Sequence, residues 1–273
     1  MLLGGEETLV YAGEEGLYPL ASSLAELLAA GRGPLEAAVD AALARDPVAA
    51  EDIEHLRPID TQEVWASGVT YMRSRAARMS ESVAADVYSR VYEAPRPELF
   101  LKSPAWRVPA PGSPLRIRRD SNWDVPEPEL GLVVSADAEI VGFLVGDDMS
   151  SREIEGDNPL YLPQAKIYDD ALGLSETIVL ARERTWEATD ISVTITRAGA
   201  TVYTGTISTS AMRRSFEELV GYLFRELTHP SGAVLLTGTG LVPPDEVTLQ
   251  PGDDVAIAID RVGSLRHGVY RAD

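Results

Sequence analysis

Glu127-Pro128-Glu129, followed by Gly146-Asp147-Asp148 at the close of the strand-like run Ile140–Val145, is the stretch on which the reading of this chain turns. Residues two apart on a strand project to the same side, so Glu127 and Glu129 can converge on one point. Pro128 fixes the backbone between them and has no amide hydrogen for a sheet interior, which places the triplet at a strand edge or a sheet mouth. With Asp148 on a neighbouring extended segment, three hard carboxylate oxygens suit an octahedral Mg²⁺ or Mn²⁺ that keeps positions open. The ordinary alternative is a Glu-x-Glu on a solvated strand, which arises easily in a chain with 43 acidic residues. The segments around the triplet tip the balance toward a metal.

Further strands extend the pattern. Ile191, Val193 and Ile195 alternate with polar residues, Gly199 supplies a turn, and Thr201–Ile207 returns as a hairpin partner. Val255, Ile257 and Ile259 alternate in the same way after the Pro251-Gly252 turn. One helix interrupts them: Ser215 and Glu218 have capping-box spacing, and Phe216, Leu219, Val220, Leu223, Phe224 and Leu227 form one apolar stripe. The expected class is mixed α/β and β-rich, a roll or barrel. Residues 1–57 read as a small N-terminal α+β domain, and 58–273 as the main domain. In the former, Leu9–Tyr11 and Leu17–Leu20 look like short strands, Ser22–Ala30 and Pro34–Arg45 like helices; the acidic run Glu51–Glu54 and Pro58 mark the boundary. Arg73–Tyr92 is helical in pattern, either a lid or a solvated surface helix.

The formal net charge of −19 argues against a nucleic-acid surface or an anionic membrane as partner. An anionic substrate therefore needs a local positive centre, from a divalent metal or a few basic side chains. No stretch reaches the length of a membrane span, and no basic segment with an apolar core opens the chain. The absence of cysteine excludes disulfides, thiolate zinc sites and cysteine nucleophiles. These features lead us to expect a cytoplasmic protein acting on a small molecule.

Lys166 ends the segment Pro159–Lys166, whose prolines 159 and 163 stiffen it and can hold an ammonium at a fixed distance from a metal. Lys102 and Lys166 are the only lysines, which makes a casual surface role less natural for either. In Arg96–Lys102, period two puts Glu98, Phe100 and Lys102 on one face, toward a pocket or in a surface ion pair. Thr237-Gly238-Thr239-Gly240 is a small-residue turn through which backbone amides can approach a ligand. His55, His229 and His267 stand apart without the spacing of a zinc site, and no Gly-x-Ser-x-Gly elbow supports a serine nucleophile.

In their order and spacing, Glu127-Pro128-Glu129-Leu130, Gly146-Asp147-Asp148-Met149-Ser150-Ser151-Arg152-Glu153, Pro159–Lys166 and Thr237-Gly238-Thr239 resemble the fumarylacetoacetate hydrolase superfamily, over Pro58 to Arg266. The resemblance implies that family's β-rich roll behind a small N-terminal domain, assembled as a homodimer or homotetramer. It implies Glu127, Glu129 and Asp148 as ligands of Mg²⁺, with Mn²⁺ as the alternative, Lys166 as the active-site lysine and Thr239 as a substrate contact. Val64–Tyr71, Arg96–Lys102 and Asn158–Gln164 are similar to the superfamily's dehydratases of 2-dehydro-3-deoxy-D-arabinonate. That likeness adds Glu98 as proton shuttle, with Ser67, Tyr71 and Lys102 toward the substrate.

Hydrolases of the superfamily carry Asn-Tyr-Arg-x-His with a Glu three residues on, a pair that activates water. Here the stretch reads Thr70-Tyr71-Met72-Arg73-Ser74, with Ala77 following. The implied reaction is Mg²⁺-dependent dehydration of a 2-keto-3-deoxy sugar acid to a 2-oxo acid semialdehyde through a metal-bound enolate. The rival readings are C–C bond hydrolysis of an acylpyruvate or fumarylacetoacetate-type substrate, decarboxylation or tautomerisation of a 2-oxo diacid, and a metal-binding scaffold without activity. Met149 and Ser151–Glu153 depart mildly from the superfamily's usual Val-Ser-Ala-Arg-Asp form, which leaves substrate specificity open.

Overall fold

The near-continuous apolar runs of Pro128–Val134 and Ile140–Asp148 are buried almost end to end, as strands covered on both faces must be. The computed structural model that shows this describes residues 2–3, 9–13, 15–20, 22–48, 57–72, 85–183 and 188–273. The two strands pair antiparallel, Pro128 opposite Asp147 and Leu130 opposite Val145, inside a ten-stranded sheet. Ala233–Leu236 lies antiparallel to Pro128–Val134 and parallel to Glu63–Gly68, which in turn pairs with Glu98–Ser103. Pro128 is the first residue of its strand, where its missing N–H disturbs no ladder.

A second, five-stranded sheet runs in the order Ala200–Ser208, Asp190–Arg197, Asp254–Ile259, Gly263–Arg271, Leu115–Ile117. The alternation expected for Ile191, Val193 and Ile195 holds: all three are buried and pack with Leu130, Leu132, Phe143 and Val145 of the large sheet. The helix Phe216–Leu223 closes this core with Leu219, Val220 and Leu223. It ends earlier than the apolar stripe suggests, and Leu227 is 46% exposed. Ser215 Oγ accepts the Glu218 N–H at 3.1 Å, but the Glu218 carboxylate pairs with Arg214, so only half of the capping box forms.

The other face of the large sheet is covered from the N-terminus. Helices Leu24–Ala30 and Arg32–Leu43 bury Leu24, Leu28, Leu35 and Val39 against Val133, Val141 and Leu144. Ser23 and Glu26 cap the first of them reciprocally. Leu2–Leu3 pairs with Thr177–Leu180, so Val10–Ala12 and Leu17–Pro19 continue the same sheet. The N-terminal segment thus shares a core with the rest of the chain; of the expected boundary, Glu51–Glu54 and His55 lie outside the described residues and Pro58 within them. Of the expected helix Arg73–Tyr92, Ala85–Glu93 is helical and 73–84 lies outside the described residues. Among the described residues no helix is long and apolar enough to cross a membrane.

Candidate active site

Glu127, just before the strand Pro128–Val134, and Glu129 within it meet Asp148 of the paired strand, and one carboxylate oxygen from each lies within 4.8 Å of the others. All three are buried. The backbone locks the pair of strands here: the Glu127 carbonyl accepts the Asp148 N–H at 3.0 Å, and Asp147 Oδ1 accepts the Glu127 N–H at 2.8 Å. Each ligand candidate has a donor beside it. Lys166 Nζ lies 2.5 Å from Glu127 Oε2 and 3.1 Å from Asp148 Oδ2. Arg152 Nη1 donates to Glu127 Oε1 at 3.2 Å, and the Gly238 N–H donates to Glu129 Oε2 at 2.6 Å.

Lys166 comes from a helical segment. Pro159–Tyr161 forms a 3₁₀ turn, capped by Asn158 Oδ1 on the Leu160 N–H, and Leu162–Lys166 is one helical turn ending in the lysine. Prolines near the start of each turn are compatible with both.

Across the cavity stand Ser67, Gly68, Val69, Glu98 and Phe100, while Glu155, Leu162, Lys166 and Thr239 complete its lining with the three carboxylates. The period-two reading of Glu98 and Phe100 therefore holds. Ser67 Oγ donates to the Leu236 carbonyl at 2.9 Å. Val69, a β-branched residue, sits at φ 53°, a strained conformation at the cavity edge.

Two expected substrate contacts are placed differently. Lys102 does not line the cavity: it is buried, with Nζ 3.0 Å from the Met149 carbonyl, 2.5 Å from the Lys166 carbonyl and 2.6 Å from Asp148 Oδ1. It sits where the ladder shifts register, since Val64 faces Ser103 and Trp65 faces Leu101, and such a bulge re-aims a side chain. Lys102 thus supports Asp148 from behind. Tyr71 is also fully buried outside the lining, its ring against Gly240, and burial followed by the Glu129 charge pushes its phenol well up.

Several participants were not singled out from the sequence. Glu155 is buried, faces the cavity, accepts from Ser150 Oγ at 3.3 Å and lies 3.9 Å from Arg152. Its spacing from Arg152, one helical turn, is the signal that would have found it. His267, from the last strand, is buried with Nε2 2.7 Å from Asp147 Oδ2. His229 packs on Phe224 and Trp65 as a core residue.

The charges favour a cation. Among the described residues, six carboxylates (Glu98, Glu127, Glu129, Asp147, Asp148, Glu155) stand in or beside the cavity against the basic side chains of Lys102, Arg152 and Lys166. Burial, then the charges of Asp148 and Glu127, push the Glu129 carboxyl well above its usual range, a cost that a divalent ion would remove. Burial also acts to raise Asp148, but Lys102 and Lys166 outweigh it and hold that carboxyl below its usual range. Asp148 Oδ1 is buried without a well-aligned hydrogen bond, so it keeps a lone pair to offer. An all-oxygen donor set of this kind suits Mg²⁺ or Mn²⁺.

Fold and site together define a class: a β-rich protein with three buried carboxylates that could hold a metal, an ammonium beside them and a further carboxylate on the same cavity. Residues 63–270 match the fumarylacetoacetate hydrolase C-terminal domain, and the chain belongs to that family. It is 48% identical over 213 residues to a probable 2-keto-3-deoxyxylonate dehydratase of Haloferax volcanii, covering 78% of this chain and 73% of that one. It is 39% identical over 219 residues to the 2-dehydro-3-deoxy-D-arabinonate dehydratase of Saccharolobus solfataricus, covering 78% and 74%. The fold superimposes, at a TM-score of 0.86 and 30% identity over 99% of this chain and 98% of the other, on a 2-keto-3-deoxy-D-arabinonate dehydratase complexed with magnesium and 2,5-dioxopentanoate.

Proposed function

We propose that the chain is a Mg²⁺-dependent hydro-lyase that removes water from a 2-keto-3-deoxy pentonate to give 2,5-dioxopentanoate, with Glu127, Glu129 and Asp148 as the metal ligands. The observation that carries the reading is the placement of Glu98 and Lys166 on one cavity with the three carboxylates, in a chain whose sequence lacks the hydrolases' His–Glu pair. A bound divalent ion would supply a Lewis acid for the substrate's carboxylate and keto oxygens. The protein supplies the rest.

Glu98 is the base for a C3 proton, which the adjacent ketone acidifies, and then the acid that hands a proton to the departing C4 hydroxyl. Lys166, at the ligand wall, offers positive charge where negative charge builds on the C2 oxygen. Thr239 and Ser67 present hydroxyl oxygens to the sugar chain, and Phe100 and Leu162 give an apolar side that limits water. Loss of the C3 proton and the C4 hydroxyl, followed by tautomerisation through C5, balances as sugar acid to dioxo acid plus one water. Assembly as a homodimer or homotetramer and a cytoplasmic location belong to the same proposal. The sedimentation profile of the purified protein tests the assembly.

Chelator-treated protein with and without Mg²⁺, given 2-keto-3-deoxy-D-arabinonate, its xylonate-derived counterpart and an acylpyruvate, tests the activity by product mass. Metal-dependent loss of water from a sugar acid is expected. Cleavage of the acylpyruvate with no dehydration would replace this reading with hydrolysis.

A further inference from the structure

Gly68 and Glu98 face each other across the paired ends of Glu63–Gly68 and Glu98–Ser103. A Cβ placed on Gly68 would lie 2.0 Å from Glu98 Oε2, 2.6 Å from its Cδ and 3.2 Å from its Cγ. The glutamate is therefore folded over its own cross-strand partner, into the volume that any other residue would fill. Gly68 has no positive φ, so its backbone conformation makes no demand for glycine. The contact alone does.

The strand end beneath Glu98 has little room to withdraw. Ser67 Oγ holds the Leu236 carbonyl at 2.9 Å, and Thr70 Oγ1 holds the Thr237 carbonyl at 2.7 Å. From the other side Gly238, at φ 89°, presses so close that its own Cβ would meet Thr70 Oγ1 at 2.1 Å and the Ser67 carbonyl at 2.8 Å. A methyl added at Gly68 must therefore displace the flexible partner, the Glu98 carboxylate, rather than the strand.

We propose that Gly68 is a positioning residue, a seat that sets where the Glu98 carboxylate stands over the cavity. The inference rests on the proton-shuttling role given to Glu98 above. It adds that shape takes part in setting the location of this carboxylate, which lies directly against the glycine surface and lines the cavity. A shift of about 1 Å in a reacting group can cost on the order of 10²-fold in rate, which sets the expected scale.

The test is a double-substitution cycle read by turnover of the sugar acid, Mg²⁺ affinity and melting temperature. G68A is expected to lower kcat by about 10²-fold with KM and Mg²⁺ affinity little changed. In an E98D background the carboxyl carbon takes the present Cγ position and its oxygens stop near the present Cδ, one bond short of the tightest contact, so adding G68A there should cost less than in the wild-type background, under about tenfold. An equal cost in both backgrounds, or wild-type turnover in G68A, overturns the proposal. Should G68A fail to fold, E98A/G68A must recover folding and Mg²⁺ binding; an unfolded double variant also overturns it. Undiminished turnover in E98A would remove the proton role of Glu98 instead. The melting-temperature coupling between G68A and E98A would then still report the contact.

Discussion

On one wall of the cavity Glu127, Glu129 and Asp148 are each held by a buried cation or a backbone amide, on or directly beside strands covered by core on both faces. On the other wall Glu98 lies against a glycine, beside a valine at positive φ, where a two-strand ladder ends. The first wall is specified by charge pairing and tolerates little change in charge. The second also depends on a tight contact of shape, so a small added volume at Gly68 should matter there even with every charge kept. A metal-dependent elimination needs both kinds of precision: a cation held without ambiguity, and one carboxylate placed against a carbon acid.

Substitutions that cross these rules test the contrast. The largest effect is expected from K102M, on the charge-specified side. It strips the Asp148 carboxylate and the Met149 and Lys166 carbonyls of a buried partner, so about 3–5 kcal/mol of stability and most of the Mg²⁺ affinity should go together. Denaturant melts and metal titration would show it; retained metal affinity would mean that Asp148 is held by its strand alone. E155Q comes next and decides which wall Glu155 serves, since it faces the cavity but sits beside Arg152. We expect kcat/KM for the sugar acid to fall by about tenfold, the scale of one charge-assisted hydrogen bond, with Mg²⁺ affinity kept.

The smallest effect concerns Asp124, beneath the ligand wall on the strand that pairs with Ser150–Ser151. Burial pushes its carboxyl up to about 6, against weaker opposing pulls from Ser121, Arg118 and Arg271. Unfolded, it ionises near 3.8; folded, it holds its proton to about 6. Stability therefore falls as pH rises through that window and stays lower above it. D124N should gain roughly 1 kcal/mol at pH 7.5, and the gain should vanish below about pH 4. Melting temperatures across pH would reveal either that pattern or a pH-independent change.

Much of this was legible in the sequence because it rests on short-range periodicity. The Glu127/Glu129 convergence, the alternation through Ile191–Ile195, and Glu98 and Phe100 facing a pocket all follow from a period of two. What was not legible depends on depth and on distant partners. Lys102 shares the correct face, yet a register shift carries it past the cavity to the back of Asp148. His267 meets Asp147 from the far end of the chain, through a pairing of sheets that no local pattern encodes. The helical turn at Leu162–Lys166 was hidden by its prolines, which read as loop but sit at turn starts. Gly68 carried no signal at all, because its reason is a side chain thirty positions away in sequence.

The central claim, that one wall holds the metal and the other moves the proton, is tested most directly by E98Q. Turnover of the sugar acid and Mg²⁺ binding by calorimetry would be measured on the same preparation. The account predicts a loss of turnover on the order of 10²–10⁴-fold, the range for a positioned proton-transfer group, with Mg²⁺ affinity unchanged. Equal loss of both, or turnover that survives, would contradict it.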